Sequence, residues 1–299
     1  MRTVPVPRAA ACLALVVLGL AGCGSGSGVA ADARPSVVVT TSVLGDVVRN
    51  LLGDAARVAV VMPSGSNPHG FAPSARQVDE LRRADAVVEN GEGFEVSLVD
   101  AVDAAERDGT VVITATDGVD LLGDDPHFFT DPRRMRSAAA HISDELVALV
   151  PGLDVTEVGR RTTAYLAQLD ALDQDVTRLL ASVPLDRRLL VTNHEVFAYF
   201  ADRYGFTIVG SVIPSGTTLA EPSASGLQHL AAVIRRTRVP AIFADTSAPT
   251  RLAETLAAEG TDVEVVSLYS ESLGDTGSDG ATYLDMMRTD ATLIAAALG

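Results

Sequence analysis

The chain has 299 residues, 47% of them hydrophobic, and a formal net charge of -16. There is ample apolar material for a core, and the acidic balance disfavours a nucleic-acid binder, which needs a basic surface. Acidity of this kind favours solubility and draws cations weakly, without choosing among them.

Arg2 and Arg8 precede an apolar stretch, Ala9 to Leu20, followed by Leu20-Ala21-Gly22-Cys23. A basic start, a short apolar core and small residues before a cut describe a secretory leader over residues 1–22. The stretch is shorter than the roughly 20 apolar residues a permanent spanning helix needs. Leu-Ala-Gly-Cys resembles the bacterial lipobox, which implies that Cys23 carries lipid and begins the mature chain; the alternative is an ordinary leader with an incidental cysteine. Residues 23–35 are small and polar and predict a flexible tether. The two cysteines are Cys12 and Cys23, so the folded body has neither a disulfide nor a cysteine metal site.

A strand is predicted at 36–40, a helix at 44–52, and a strand at 58–61 that ends in a Ser/Gly/Asn/Pro loop carrying His69. A helix at 74–83, a strand at 86–89, a turn at 90–93, a helix at 94–105 and a strand at 111–113 follow. Short continuous apolar strands separated by helices imply a parallel sheet covered on both faces, and residues 36–150 form the first α/β lobe. Tyr165, Leu169, Leu172, Val176 and Leu179 then recur at alternating four- and three-residue steps, which predicts one long amphipathic helix over 155–182. The alternative is two helices joined by a turn, but no glycine or proline follows Gly159 before Pro184.

The second lobe, 186–299, repeats the pattern. Strands are predicted at 189–192, 207–212, 241–244 and 263–267. Helices are predicted at 195–204, 223–236 and 251–259, with a closing helix from 283. Ligands of open α/β sheets bind beyond the carboxyl ends of the strands. His194 falls at such an end, His69 lies in the loop beyond one, and Asp245 and Glu271 are the strand-end acids.

Three of the five histidines stand in Asn67-Pro68-His69-Gly70, Asp125-Pro126-His127-Phe128 and Thr192-Asn193-His194-Glu195. Neutral imidazole is the commonest protein ligand for a transition metal, and three such loops with one carboxylate are expected to hold a Zn²⁺-like ion. Taken singly, each has a plainer reading: an exposed loop histidine at 69, an accessory of the Asp-Pro turn at 127, a strand-end histidine at 194. Asp131, Asn193 and Glu195 are candidates to fix an imidazole tautomer from behind. His141 and His229 fall in helical stretches and are expected on helix surfaces.

These motifs, with Asn90-Gly91 before Phe94-Glu95, Asp131-Pro132, Phe197, Tyr199-Phe200, Tyr283 and Met286-Met287, resemble the metal-binding solute receptors of bacterial zinc, manganese and iron ABC importers (cluster A-I, cluster 9). The resemblance covers nearly the whole mature chain. It implies two parallel-sheet α/β lobes joined by one long rigid helix, with the ion in the cleft between them. It also implies that His69, His127 and His194 are ligands, and that a carboxylate of the last loop is the fourth. Aligning that loop points to Glu271, one methylene longer than the family's usual Asp, with Asp245 as the fallback. The implied partners are a membrane permease and its separate ATPase, with membrane attachment through lipid; the receptor is expected to be a monomer.

Three imidazoles and one carboxylate suit Zn²⁺, whereas Mn²⁺ favours more oxygen ligands. Zinc is therefore expected ahead of manganese or Fe²⁺, although the short acidic segment before His127 is shared with manganese receptors of the family. A zinc hydrolase is the competing reading should water replace the fourth ligand, and a lipoprotein adhesin is a third. The chain contains no HExxH and no GxSxG motif.

Overall fold

The computed structural model describes residues 1–3, 34–258 and 263–299. The expected lipidation site at Cys23, and all but the ends of the leader and tether, lie outside the described residues.

The first lobe is built on β1 (Ser36–Val39), β2 (Arg57–Val60), β3 (Ala86–Glu89) and β4 (Val111–Thr114), all parallel, in the order β2-β1-β3-β4. Val37, Val38 and Val39 are buried in succession, as β-branched residues are when helices cover both faces of a sheet. The second lobe uses β5 (Leu189–Thr192), β6 (Thr207–Ser211), β7 (Ala241–Asp245) and β8 (Glu264–Leu268), again parallel, in the equivalent order β6-β5-β7-β8. Strand order reverses beside β1 and beside β5, and such switch points open a crevice at the carboxyl ends.

Helices α1 (Ser42–Leu52), α2 (Ala75–Arg82), α3 (Val99–Arg107) and α4 (Pro132–Leu149) serve the first lobe. The second has α6 (Ala198–Tyr204), α7 (Ala224–Thr237), α8 (Arg251–Ala258) and α9 (Tyr283–Leu298). Between them runs α5 (Val155–Leu180), a single helix of 26 residues. Asp154 starts it by accepting a hydrogen bond from the Glu157 backbone N–H. Its apolar stripe of Val158, Tyr165, Leu169, Leu172, Val176 and Leu180 is buried, and the helix packs against α1 and α4 of the first lobe and α9 of the second. One hydrophobic cluster therefore passes from β1 through α5 into α9. Full burial of each leucine contributes roughly 1.5–3 kcal/mol, and this shared face is what holds the lobes to one frame.

Two predicted helices start late, for local reasons. Residues 94–98 form turns and α3 begins at Val99. The Phe94 N–H donates to the Gly91 carbonyl and the Leu98 N–H to that of Glu95, closing tight turns at and beyond the positive-φ stretch Gly91, Glu92 and Gly93. A side chain at Gly91 would also collide with Thr114 and Thr116. In the second lobe, the Glu195 N–H donates to the Ser215 carbonyl and the Val196 N–H to that of His194. These bonds hold the strand-end turn open until α6 begins at Ala198.

Candidate metal centre

The three histidines reach the crevice from different loops. His69 follows β2, in a turn closed by Asn67, whose side-chain oxygen accepts from the His69 N–H at 3.0 Å. His127 is held the same way, since Asp125 Oδ1 accepts from the His127 N–H at 2.9 Å. His194 stands just past β5, where the Thr192 hydroxyl donates to its carbonyl at 2.7 Å. Asx side chains readily bond backbone two residues on, and the intervening proline leaves no competing N–H.

Glu271, past the end of β8, meets all three. Its Oε1 lies 2.6 Å from His69 Nε2, 2.8 Å from His194 Nε2 and 3.5 Å from His127 Nε2. One ligand atom from each of the four residues falls within 4.8 Å of the others. The imidazole rings form a near-equilateral triangle, with centroids 5.6, 5.8 and 5.9 Å apart. Exposure is 3% for His69, 0% for His127 and His194, and 1% for Glu271. Phe94 packs edge-on against His69 and His127 at 5.3 and 5.5 Å, and Phe129 backs His127. Water is excluded on that side.

The donor set fits a cation. Ligands at about 2.0–2.1 Å from a tetrahedral ion stand about 3.3 Å from one another. Here the Glu271 oxygen is 2.6–3.5 Å from the nitrogens and all four ligand atoms fall within 4.8 Å, so an ion would draw the carboxylate slightly away from His69 and His194. Glu271 Oε2 is buried without a hydrogen-bond partner, and so offers a further oxygen to an ion that takes more than four ligands. Burial alone would raise the Glu271 pKa, yet the three imidazoles that face its carboxylate, two of them within hydrogen-bond distance, hold it well below the usual carboxylate range. Burial likewise opposes charge on His127, but Asp125 and Glu271 outweigh it and raise its pKa to about 9.

Each expected residue has a definite place. Asp245 is buried at the end of β7, outside the four-residue cluster. Its carboxylate accepts from the Ser247 N–H and from the hydroxyls of Ser247 and Ser270, while burial and the Glu271 charge raise its pKa. Asp131 does not reach an imidazole. It caps α4, accepting from the Arg133 N–H at 2.8 Å and from the Arg134 guanidinium. Pro132 at the first helical position makes that the expected use of an Asp-Pro pair. Nδ1 of His194 has no hydrogen-bond partner, so neither Asn193 nor Glu195 fixes its tautomer, and Glu195 instead lines the open cleft. His229 is exposed on α7, while His141 is half-buried on α4 against Gly118.

The residue that orients an imidazole is Asp125, whose Oδ1 lies 2.7 Å from His127 Nδ1. Asn90 supports the same turn by donating to the Pro126 carbonyl at 3.0 Å. Sequence reasoning passed over both roles, although the repeated Asx-Pro-His at 67–69 and 125–127 is visible in the chain. Beside His69 a cleft of about 730 Å³ opens to solvent, walled by Glu92, Asp124, Asp125 and Glu195.

Residues 37–297 match the family model described as zinc-uptake complex component A, periplasmic. The chain belongs to this family. It is 32% identical to the zinc-binding protein TroA of Treponema pallidum over 90% of each chain. It is 28% identical to the metal ABC transporter substrate-binding lipoprotein FimA of Streptococcus parasanguinis, over 97% of this chain and 99% of the relative. The solved structure of TroA superposes with a TM-score of 0.82, covering 89% of this chain and 99% of that one. A crystal structure of ZnuA, 26% identical, gives 0.78 over 89% and 100%. The lobes and the long helix between them are thus those of the family.

Proposed function

We infer that this chain is an extracytoplasmic receptor that captures a divalent transition-metal ion, zinc by preference, and passes it to the permease of an ABC importer driven by a separate ATPase. One observation carries the reading: a single carboxylate oxygen is surrounded by three buried imidazole nitrogens from both lobes. His69, His127, His194 and Glu271 are the ligands in this reading, and the ion is cargo. Nitrogen donors three to one favour Zn²⁺. Relatives are named for zinc and for manganese, and the unpartnered Glu271 Oε2 is the feature that favours an ion of higher coordination such as Mn²⁺.

Lipid on Cys23 is the proposed tether, supported by the Leu-Ala-Gly-Cys sequence and by relatives named as lipoproteins. Residues 36–150 and 186–299 are the proposed lobes, and the receptor is taken as a monomer. Elemental analysis of the protein from its native host, followed by zinc–manganese competition, tests the cargo. One equivalent of zinc, lost in His194→Ala, is expected; stoichiometric metal retained by His194→Ala would overturn the site. Cys23→Ala is expected to move the protein from membrane to soluble fractions.

A further inference from the structure

Both first-lobe histidines sit in an Asx-Pro-His turn, and in both turns the Asx residue is also held by the second lobe. Asn67 Oδ1 accepts from the His69 N–H, which fixes that atom as the oxygen. The Thr218 hydroxyl, in the loop after β6, donates to it at 3.1 Å and accepts from Asn67 Nδ2 at 2.9 Å. Asp125 Oδ1 accepts from the backbone N–H of His127 and pairs with its ring nitrogen. The Asp125 carbonyl accepts from the Tyr199 hydroxyl at 2.6 Å, and the same hydroxyl accepts from the Leu122 N–H at 3.0 Å. Tyr199 lies on α6 at 0% exposure, with the Arg134 guanidinium 4.7 Å over its ring.

Resting on the receptor reading, we propose that Thr218 and Tyr199 are positioning residues for metal retention, each acting through an Asx residue on one first-lobe histidine. Neither touches a ligand atom. Each hydroxyl spans the two lobes and ends on the residue that sets a histidine's backbone. Separating the lobes breaks both bonds and frees both turns together, so lobe opening and loss of ligand geometry become one event. Release to a permease that prises the lobes apart then needs no separate trigger at the ion. Outer partners of metal ligands are commonly worth about 10–100-fold in affinity.

The test is zinc release from the full-length protein into excess chelator, followed by stopped flow. Thr218→Val and Tyr199→Phe are each expected to speed release by about 10-fold or more while leaving the association rate within about 2-fold. Thr218→Ser, which keeps the hydroxyl, is expected to release at the wild-type rate. Tyr204→Phe is the control. Its hydroxyl donates to Asp173 at 3.2 Å, so it removes a buried phenol of the same helix without reaching either turn. Wild-type release rates in both Thr218→Val and Tyr199→Phe would overturn the proposal, as would equal acceleration by Tyr204→Phe. Failure of the wild-type protein to bind zinc would strike the receptor reading instead, and shows itself before any variant is compared.

Discussion

His127 Nδ1 lies 2.7 Å from Asp125 Oδ1 on one side of the ring, while its Nε2 faces Glu271 Oε1 at 3.5 Å on the other. Two carboxylates thus bracket a fully buried imidazole. The two acids raise the pKa of the ring to about 9 against the effect of burial, so an ion taken up at Nε2 would have to displace a proton.

Metal affinity is therefore expected to rise with pH by up to tenfold per unit between about 6.5 and 9, with release of about one proton from His127. Histidines of ordinary pKa would place the fall only below about 6. Titration calorimetry in buffers of different ionisation enthalpy counts the proton directly. Binding that is flat from pH 7 to 9 would show that His127 is neutral before the ion arrives.

The same pair sets the stability of the metal-free protein. Because the folded pKa of His127 is raised, its contribution is fully present below about pH 6.5 and is lost as pH rises through about 9. Glu271 is depressed, so its contribution is present above the ordinary carboxylate range and is lost in acid. Metal-free melting temperature is expected to be highest between these limits and to fall on the alkaline side by pH 9. In His127→Gln the alkaline loss should vanish.

Glu271 and Asp245 separate into different roles by substitution. Glu271→Gln removes the charge that three imidazoles face, and is expected to lower zinc affinity by more than about 10-fold. Asp245→Asn disturbs the acceptor of two serine hydroxyls and a backbone N–H. It is expected to cost about 1–3 kcal/mol of stability, with affinity within a few-fold of wild type. Urea unfolding and chelator competition read the two effects independently. Greater loss of affinity in Asp245→Asn would make Asp245 the ligand.

Metal should stabilise the native state alone. At about 100 times Kd the gain is about 2.7 kcal/mol, visible as a rise in melting temperature with zinc. His69→Ala and His194→Ala are each expected to abolish the rise at the same zinc concentration.

Asp173 ties the frame together from the middle of α5. Its carboxylate accepts from Arg133 Nε at 3.1 Å, from Arg203 Nε at 2.9 Å and from the Tyr204 hydroxyl. It thereby joins the start of α4 to α6. Asp173→Ala is expected to destabilise by about 1–3 kcal/mol in chemical denaturation, with the metal site intact in the molecules that remain folded.

The fold was legible because its signals are periodic. Short β-branched runs such as Val37-Val38-Val39 favour doubly covered strands, and the spacing of Tyr165, Leu169, Leu172 and Val176 favours one helical face. The places of His69 and His194 were legible because their loops follow strand ends, and that of His127 because the resemblance ordered it with them. Glu271 came from the alignment alone, since a loop acid has no signature until three imidazoles surround it. The tautomer partners were misassigned for a physical reason: an acid beside a proline has two uses. Asp131 precedes Pro132 and caps a helix, while Asp125 precedes Pro126 and holds a histidine. Only the course of the chain afterwards distinguishes them.

The centre is made solely of imidazole and carboxylate groups, and the folded body contains no sulfhydryl. Disulfide exchange and thiol oxidation therefore find no sulfur to attack among these four side chains. In the receptor reading proposed above, the hold on the ion would need no reductant to maintain it.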